Sequence, residues 1–227
     1  MYTFILLSGG IGSRMQNSIP KQYMLLAGKP MLMHVLEKVD LLKSVEKIII
    51  VCADDYQNPI RLMLDQYGIR KPVDFAPAGK TRQASVLSGL NKVQSTNVVI
   101  HEAARPFVKL EDYQELIDEK QENVIVGSSI PFTVVKGHDG IEGILDRSSL
   151  VNVQLPQKFN TELLRAAHVK AMNEGLSFTE DSSLLFHYNP EIGIKIIKGK
   201  EYNIKITTYI DMLTGEIIYD EIFRRRK

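Results

Sequence analysis

Phe4-Ile5-Leu6-Leu7-Ser8-Gly9-Gly10-Ile11-Gly12-Ser13-Arg14-Met15 stands near the start of the chain, with Pro20-Lys21 shortly after it. Four consecutive apolar residues read as a strand buried on both faces. The glycines behind them let backbone N–H groups come close to oxygen atoms, and Arg14 and Lys21 place two cations beside the loop. Such an arrangement can grip a polyphosphate, so a nucleotide site at the first strand of an α/β sheet is expected. The loop is no dinucleotide fingerprint: Met15 occupies the place of a third glycine, and no acidic residue closes a second strand. Gly28-Lys29-Pro30 likewise lacks the serine or threonine that completes a P-loop. On the loop alone, a tight turn with two surface cations stays open as the alternative.

Working outward, the apolar runs at 47–51 and 97–100 read as further parallel strands, with another at 123–126 after a polar helical stretch. Residues 30–42 carry Met31, Val35, Val39 and Leu42 at helical spacing, and 59–67 and 82–93 are further helix candidates. This alternation predicts an α/β fold with a single doubly wound, mostly parallel sheet. The pattern changes between about 131 and 157, where Gly137-His138-Asp139-Gly140 and Asp146-Arg147-Ser148-Ser149 punctuate short apolar pieces. A β-arm projecting from the sheet is expected there. A helix over 161–174, a strand over 192–197 and a last helix over 211–225 complete the expectation. With no repeat or linker, residues 1–227 read as one domain.

Composition narrows the function. A net charge of +1 argues against a dedicated nucleic-acid binder. The basic end Arg224-Arg225-Arg226-Lys227 reads as a solvated helix terminus. The single cysteine, Cys52, follows a strand and reads as a core thiol in a reducing compartment. No apolar run approaches the roughly 18–20 residues that span a bilayer, and no signal peptide is evident. A cytoplasmic protein acting on small molecules is expected, with no membrane partner.

Three later segments add chemistry. Gly79-Lys80-Thr81-Arg82-Gln83-Ala84-Ser85-Val86 joins a turn to a helix start, whose free N–H groups suit a base carbonyl or a phosphate; a capped helix with Arg82 in solvent is the alternative. His101-Glu102-Ala103-Ala104-Arg105-Pro106-Phe107 follows a strand, where ligands of such sheets bind. A carboxylate at Glu102 could hold Mg²⁺ against phosphate oxygens, the alternative being a surface Glu102–Arg105 pair. His101 is assigned no chemistry. In Tyr202-Asn203-Ile204-Lys205-Ile206-Thr207-Thr208, alternation predicts a strand with Lys205 near its end, beside an anion or guarding a sheet edge.

These segments, in this order, resemble the CTP-dependent polyol-phosphate cytidylyltransferases, including those for 2-C-methyl-D-erythritol 4-phosphate and ribitol 5-phosphate. The likeness runs from Phe4 to Met212 and includes Pro20-Lys21-Gln22, Ala103-Ala104-Arg105-Pro106-Phe107, Pro156-Gln157-Lys158-Phe159 and Asn203-Ile204-Lys205-Ile206-Thr207. It implies a Rossmann-like nucleotidyltransferase fold, CTP as substrate and Mg²⁺ as cofactor. Ser8, Gly9, Gly10 and Gly12 would hold the nucleotide phosphates, and Gly79, Arg82 and Ser85 the base, with Glu102 at the nucleotide and its metal. Arg14 and Lys21 would stabilise charge at the α-phosphate. Arg147, Thr179 and Lys205 would hold the acceptor phosphate, with Arg147 on an arm that embraces a second subunit in a homodimer.

Some positions depart from the family pattern. Glu102 replaces an aspartate, and Glu180 intervenes between Thr179 and Asp181. Leu155 and Val134 stand where hydroxyl residues are usual, which predicts altered acceptor choice if those positions face the polyol. A different polyol or sugar phosphate for surface polysaccharide, another nucleoside triphosphate, and a non-catalytic nucleotide-binding homologue are the competing expectations.

Overall fold

The computed structural model describes residues 1–10 and 20–224. In chain order its strands and helices are β1 (Tyr2–Leu7), β2 (Leu25–Leu26), β3 (Lys29–Pro30), α1 (Met31–Leu41), β4 (Val45–Cys52), α2 (Gln57–Gln66), β5 (Val73–Pro77), α3 (Arg82–Leu90), β6 (Asn97–Glu102) and α4 (Leu110–Asp118). There follow β7 (Asn123–Ser129), β8 (Val135–Lys136), β9 (Gly143–Ile144), β10 (Val151–Asn160), α5 (Thr161–Glu174), α6 (Asp181–Tyr188), β11 (Ile194–Lys198) and α7 (Tyr209–Tyr219). Seven strands form the main sheet in the order β11-β7-β10-β6-β1-β4-β5. All neighbours are parallel except β10, which runs antiparallel to both β6 and β7. The predicted doubly wound, mostly parallel sheet is therefore present.

The continuous apolar runs have a direct explanation. Phe4 and Leu6 of β1, with Ile48 and Ile50 of β4, pack against Leu32, Leu36 and Tyr113 on one side of the sheet. Ile5, Ile49 and Val51 point the other way, onto Val86, Leu90 and Leu164. Successive residues of a strand face opposite sides, so a strand covered on both faces must be apolar throughout.

Several expectations are corrected. The arm is shorter than 131–157, because β10 takes residues 151–160 into the sheet, where Gln154 through Phe159 are all buried. What projects is the two-stranded β8–β9 ribbon and its flanks, exposing Phe132, Ile141 and Ile144. Strand β5 and helix α6 carry no clear periodicity: Val73-Asp74-Phe75-Ala76-Pro77 mixes buried and exposed residues at the sheet edge, and α6 begins at buried Asp181. Residues 203–207 are irregular rather than a strand. Their backbone is committed to a segment remote in sequence, with Ile206 N donating to Ala104 O at 2.9 Å. The last helix starts earlier, at Tyr209, because Thr208 caps it by accepting from Asp211 N, and it continues as a π-helical turn over Asp220–Arg224.

Order β6-β1-β4 places the switch in winding direction at β1. The chain leaves β1 toward β4 and β5, then returns to add β6 on its other side. The carboxyl ends of β1 and β6 therefore open into a crevice that no crossover helix fills.

Candidate active site

A cleft of about 500 Å³ lies at those strand ends, within the range of small-molecule sites. Ser8, Gly9 and Gly10 line it together with Gly79 to Arg82, Ser85, Glu102, Lys21 and Lys205. Segments distant in sequence thus meet in one hollow. Of the other anticipated residues, Arg147 and Thr179 do not line it. Arg147 sits on the exposed arm and donates to Pro131 O at 2.7 Å. Gly12 and Arg14 lie outside the described residues.

The glycine segment is built by close approach. A Cβ on Gly9 would lie 2.4 Å from the Cβ of Ala78, whereas one on Gly10 would meet nothing within 4 Å among the described residues. Gly9 is required by the protein's own packing; beside Gly10 the described residues leave space that a bound ligand can claim. Gly10→Ala should accordingly leave the melting temperature unchanged or slightly raised, because it narrows the unfolded ensemble. The same variant should raise the KM for the nucleotide. Differential scanning fluorimetry beside initial-rate kinetics checks both, and an unchanged KM would remove Gly10 from the ligand's path.

In the second lining segment, Thr81 caps α3 by accepting from Ala84 N at 3.1 Å. Ser85 ties the preceding turn to the helix, its Oγ accepting from Gly79 N at 3.0 Å and donating to Thr81 O at 2.9 Å. A side chain at Gly79 would collide with the Ala84 and Ser85 backbone.

Arg82 is not in solvent. Its Nε is 3.0 Å from Glu102 Oε1, its Nη1 2.8 Å from Asp181 Oδ2 and its Nη2 3.4 Å from Glu180 Oε2. Buried His168 backs Asp181 at 2.9 Å, and Gln157 donates to Glu180 Oε2 at 2.9 Å. The second oxygen of Glu102 faces Lys205 Nζ at 2.5 Å. The Glu102 carboxyl is held down at about 2, against the pull of its burial, chiefly by Lys205 and Arg82. Glu102 thus pairs with Arg82 and Lys205 rather than with Arg105, whose Nη1 donates to Asn203 O.

This network is only partly legible in the sequence. Glu180, Asp181 and His168 give no signal there beyond the altered spacing after Thr179. Gln22, noted only within Pro20-Lys21-Gln22, proves buried against the loop carbonyls of Ser8 and Gly10. Leu155, expected near the polyol, is instead buried in the apolar layer with Phe159 and Leu184. It cannot present or withhold a hydroxyl in the cleft.

His101 has no solvent contact, and its Nε2 meets Arg105 O at 3.0 Å. Burial lowers its pKa from 6.5 to about 3, and that of His34 to about 4. Unfolded, both take up protons near 6.5, which the folded protein refuses; Glu102 likewise gains a proton near 4.5 only when unfolded. Stability should therefore fall as pH drops below 6.5 and continue falling through pH 3. Urea unfolding midpoints between roughly pH 7.5 and 4 check this, and a flat profile would contradict it.

Among known proteins, the 2-C-methyl-D-erythritol 4-phosphate cytidylyltransferase of Geobacillus thermodenitrificans is 37% identical over 224 residues, covering 96% of each chain. The chloroplastic enzyme of Oryza sativa subsp. japonica is 33% identical, covering 96% of this chain and 74% of its own. The crystal structure of 4-diphosphocytidyl-2C-methyl-D-erythritol synthase from Anaerococcus prevotii superposes with a TM-score of 0.84 at 26% identity, covering 95% of this chain and 94% of that one. The family model described as IspD, 2-C-methyl-D-erythritol 4-phosphate cytidylyltransferase, matches residues 2–221, and the chain belongs to that family.

Proposed function

We propose that this chain is a cytidylyltransferase that transfers CMP from CTP to 2-C-methyl-D-erythritol 4-phosphate, forming the CDP-polyol and releasing pyrophosphate. The observation that carries the proposal is the meeting of the glycine loop, Lys21, the α3 N-terminus and Lys205 in one cleft. A phosphate oxygen of the acceptor attacks the α-phosphorus of CTP as the bond to pyrophosphate breaks. No general base is needed, because a phosphate monoester has a second pKa of about 6 and is ionised near neutrality. Catalysis then rests on positioning and on cations near the reacting phosphorus. We assign that role to Lys21 and Arg14, nucleotide contacts to the Ser8–Gly10 loop with Gly12 and to Gly79, Arg82 and Ser85, and the acceptor phosphate to Lys205, Thr179 and Arg147.

Mg²⁺ is a natural escort for CTP, yet the residues described do not fit a protein-held ion. Both Glu102 oxygens face cations, and no group of three His, Cys, Asp or Glu among the described residues could hold a metal. No helix of the described residues is long and apolar enough to cross a membrane. For the arm, with Phe132 at 77% and Ile144 at 87% exposure, we propose a second copy of the chain as the cover.

Pyrophosphate release, measured with each of the four nucleoside triphosphates against a panel of phosphorylated polyols, tests the assignment. Turnover with CTP and 2-C-methyl-D-erythritol 4-phosphate is expected to exceed every other pair. Preference for ribitol 5-phosphate or for UTP would overturn it, and absence of turnover with any pair would favour a non-catalytic homologue.

A further inference from the structure

Gln22 is 4% exposed, and its amide nitrogen points at two backbone oxygens, Ser8 O at 2.6 Å and Gly10 O at 2.9 Å. Tyr23 adds a third tether, its hydroxyl 3.1 Å from the same Ser8 oxygen while its ring stacks on Tyr56 at 4.4 Å. Ser8 N is anchored to Val51 O of β4 at 2.8 Å. The carbonyls of the glycine loop are thus held by the short helical turn Lys21–Tyr23, the turn that carries Lys21 into the cleft.

Peptide planarity gives this a chemical consequence. In a trans peptide the N–H points opposite to the C=O, so holding Ser8 O on Gln22 aims the Gly9 N–H away from Gln22. Released, the same peptide could turn its oxygen toward the cleft, where a triphosphate would be repelled instead of bound. A neutral primary amide is well matched to this position, since it offers two N–H donors from one atom without burying a charge.

We propose that Gln22 is a positioning residue for nucleotidyl transfer, holding the Ser8 and Gly10 carbonyls back so that the loop presents donors to the triphosphate, and locking Lys21 to that loop. The proposal rests on the CTP-binding function assigned above. It makes residues 8–10 and Lys21 one unit, so damage at Gln22 appears in nucleotide steps and spares acceptor binding.

Gln22→Glu and Gln22→Met test it, with pyrophosphate release followed from about pH 6 to 9 and folding checked by thermal melting. At about pH 8.5 both variants should lose about 100-fold in kcat/KM for CTP, comparable with losing a preorganised donor, while the acceptor KM is unchanged. On lowering the pH, Gln22→Glu should regain activity as its buried carboxyl takes up a proton and can donate again; Gln22→Met should not. CTP kinetics unchanged in both variants, or a uniform loss with the acceptor KM equally raised and no pH recovery, would overturn the role. If Gln22→Glu fails to fold, Gln22→Met alone decides by the split between nucleotide and acceptor parameters. Wild-type protein that turns over no CTP would sink the assigned activity instead. In that event hydrogen exchange of the Gln22 side-chain amide in the wild-type protein still judges the residue, since exchange as fast as in free glutamine would show that this amide holds nothing.

Discussion

Lys21→Ala is expected to lower kcat by about 10³-fold, the scale of removing a cation that offsets developing phosphate charge. The fold should survive. Lys21 lines the cleft on a three-residue turn, and its Nζ donates at 2.7 Å to Ile206 O, which lies beside Lys205. That bond places the ammonium at the junction between the nucleotide loop and the segment assigned to the acceptor. A point charge there can serve the α-phosphate without belonging to either substrate alone. Lys21→Arg should not rescue fully, because a planar fork does not replace a compact ammonium in so confined a position. Rapid-quench measurement of a single turnover isolates the chemical step. A loss below about tenfold, in a protein with an unchanged melting temperature, would remove Lys21 from the catalytic role.

The second large effect is expected from Gly9→Ala. Its new methyl would sit 2.4 Å from the Ala78 Cβ, a separation that neither rigid backbone can relieve. Forcing the loop aside should cost about 1–3 kcal/mol of stability, typical of overpacking. It should also cost about 100-fold in kcat/KM for CTP, because donors displaced from the phosphates lose their preorganisation. The cause can be separated from the symptom. Ala78→Gly removes the opposing methyl, so the double variant should recover most of both losses while Ala78→Gly alone changes little. A double variant as damaged as Gly9→Ala would show that conformational freedom, rather than contact with Ala78, makes glycine necessary there.

The acceptor side depends on groups the cleft gathers indirectly. Lys205 is held by Glu102, Glu102 by Arg82, and Arg82 by Glu180 and Asp181 at the start of α6, directly after Thr179. The carboxylates that fix Arg82 therefore sit on the segment expected to touch the acceptor phosphate. Truncating Arg82 would leave three carboxylates facing one another around buried Asp181, so its effect could not be assigned to base recognition alone.

Much is legible in the sequence because local rules govern it. Unbroken apolar runs such as Phe4-Ile5-Leu6-Leu7 suit strands covered on both faces, and helix α5 begins and ends where Asn160 and Gly175 cap it. The glycine loop and its cations marked a candidate polyphosphate grip by residue type, with a plain turn left open as the alternative. Tertiary structure decided the rest, since the deciding partners are remote. Residues 151–160 became a central antiparallel strand because β6 and β7 lay on either side to pair with it. Lys205 stands on irregular backbone because Ala104 and Lys21 take its neighbour's hydrogen bonds. Leu155 turned into the core, and Arg82 found carboxylates from two other segments. Chain-local chemistry specified which groups were available; only long-range pairing and burial set which of them face one another across the cleft.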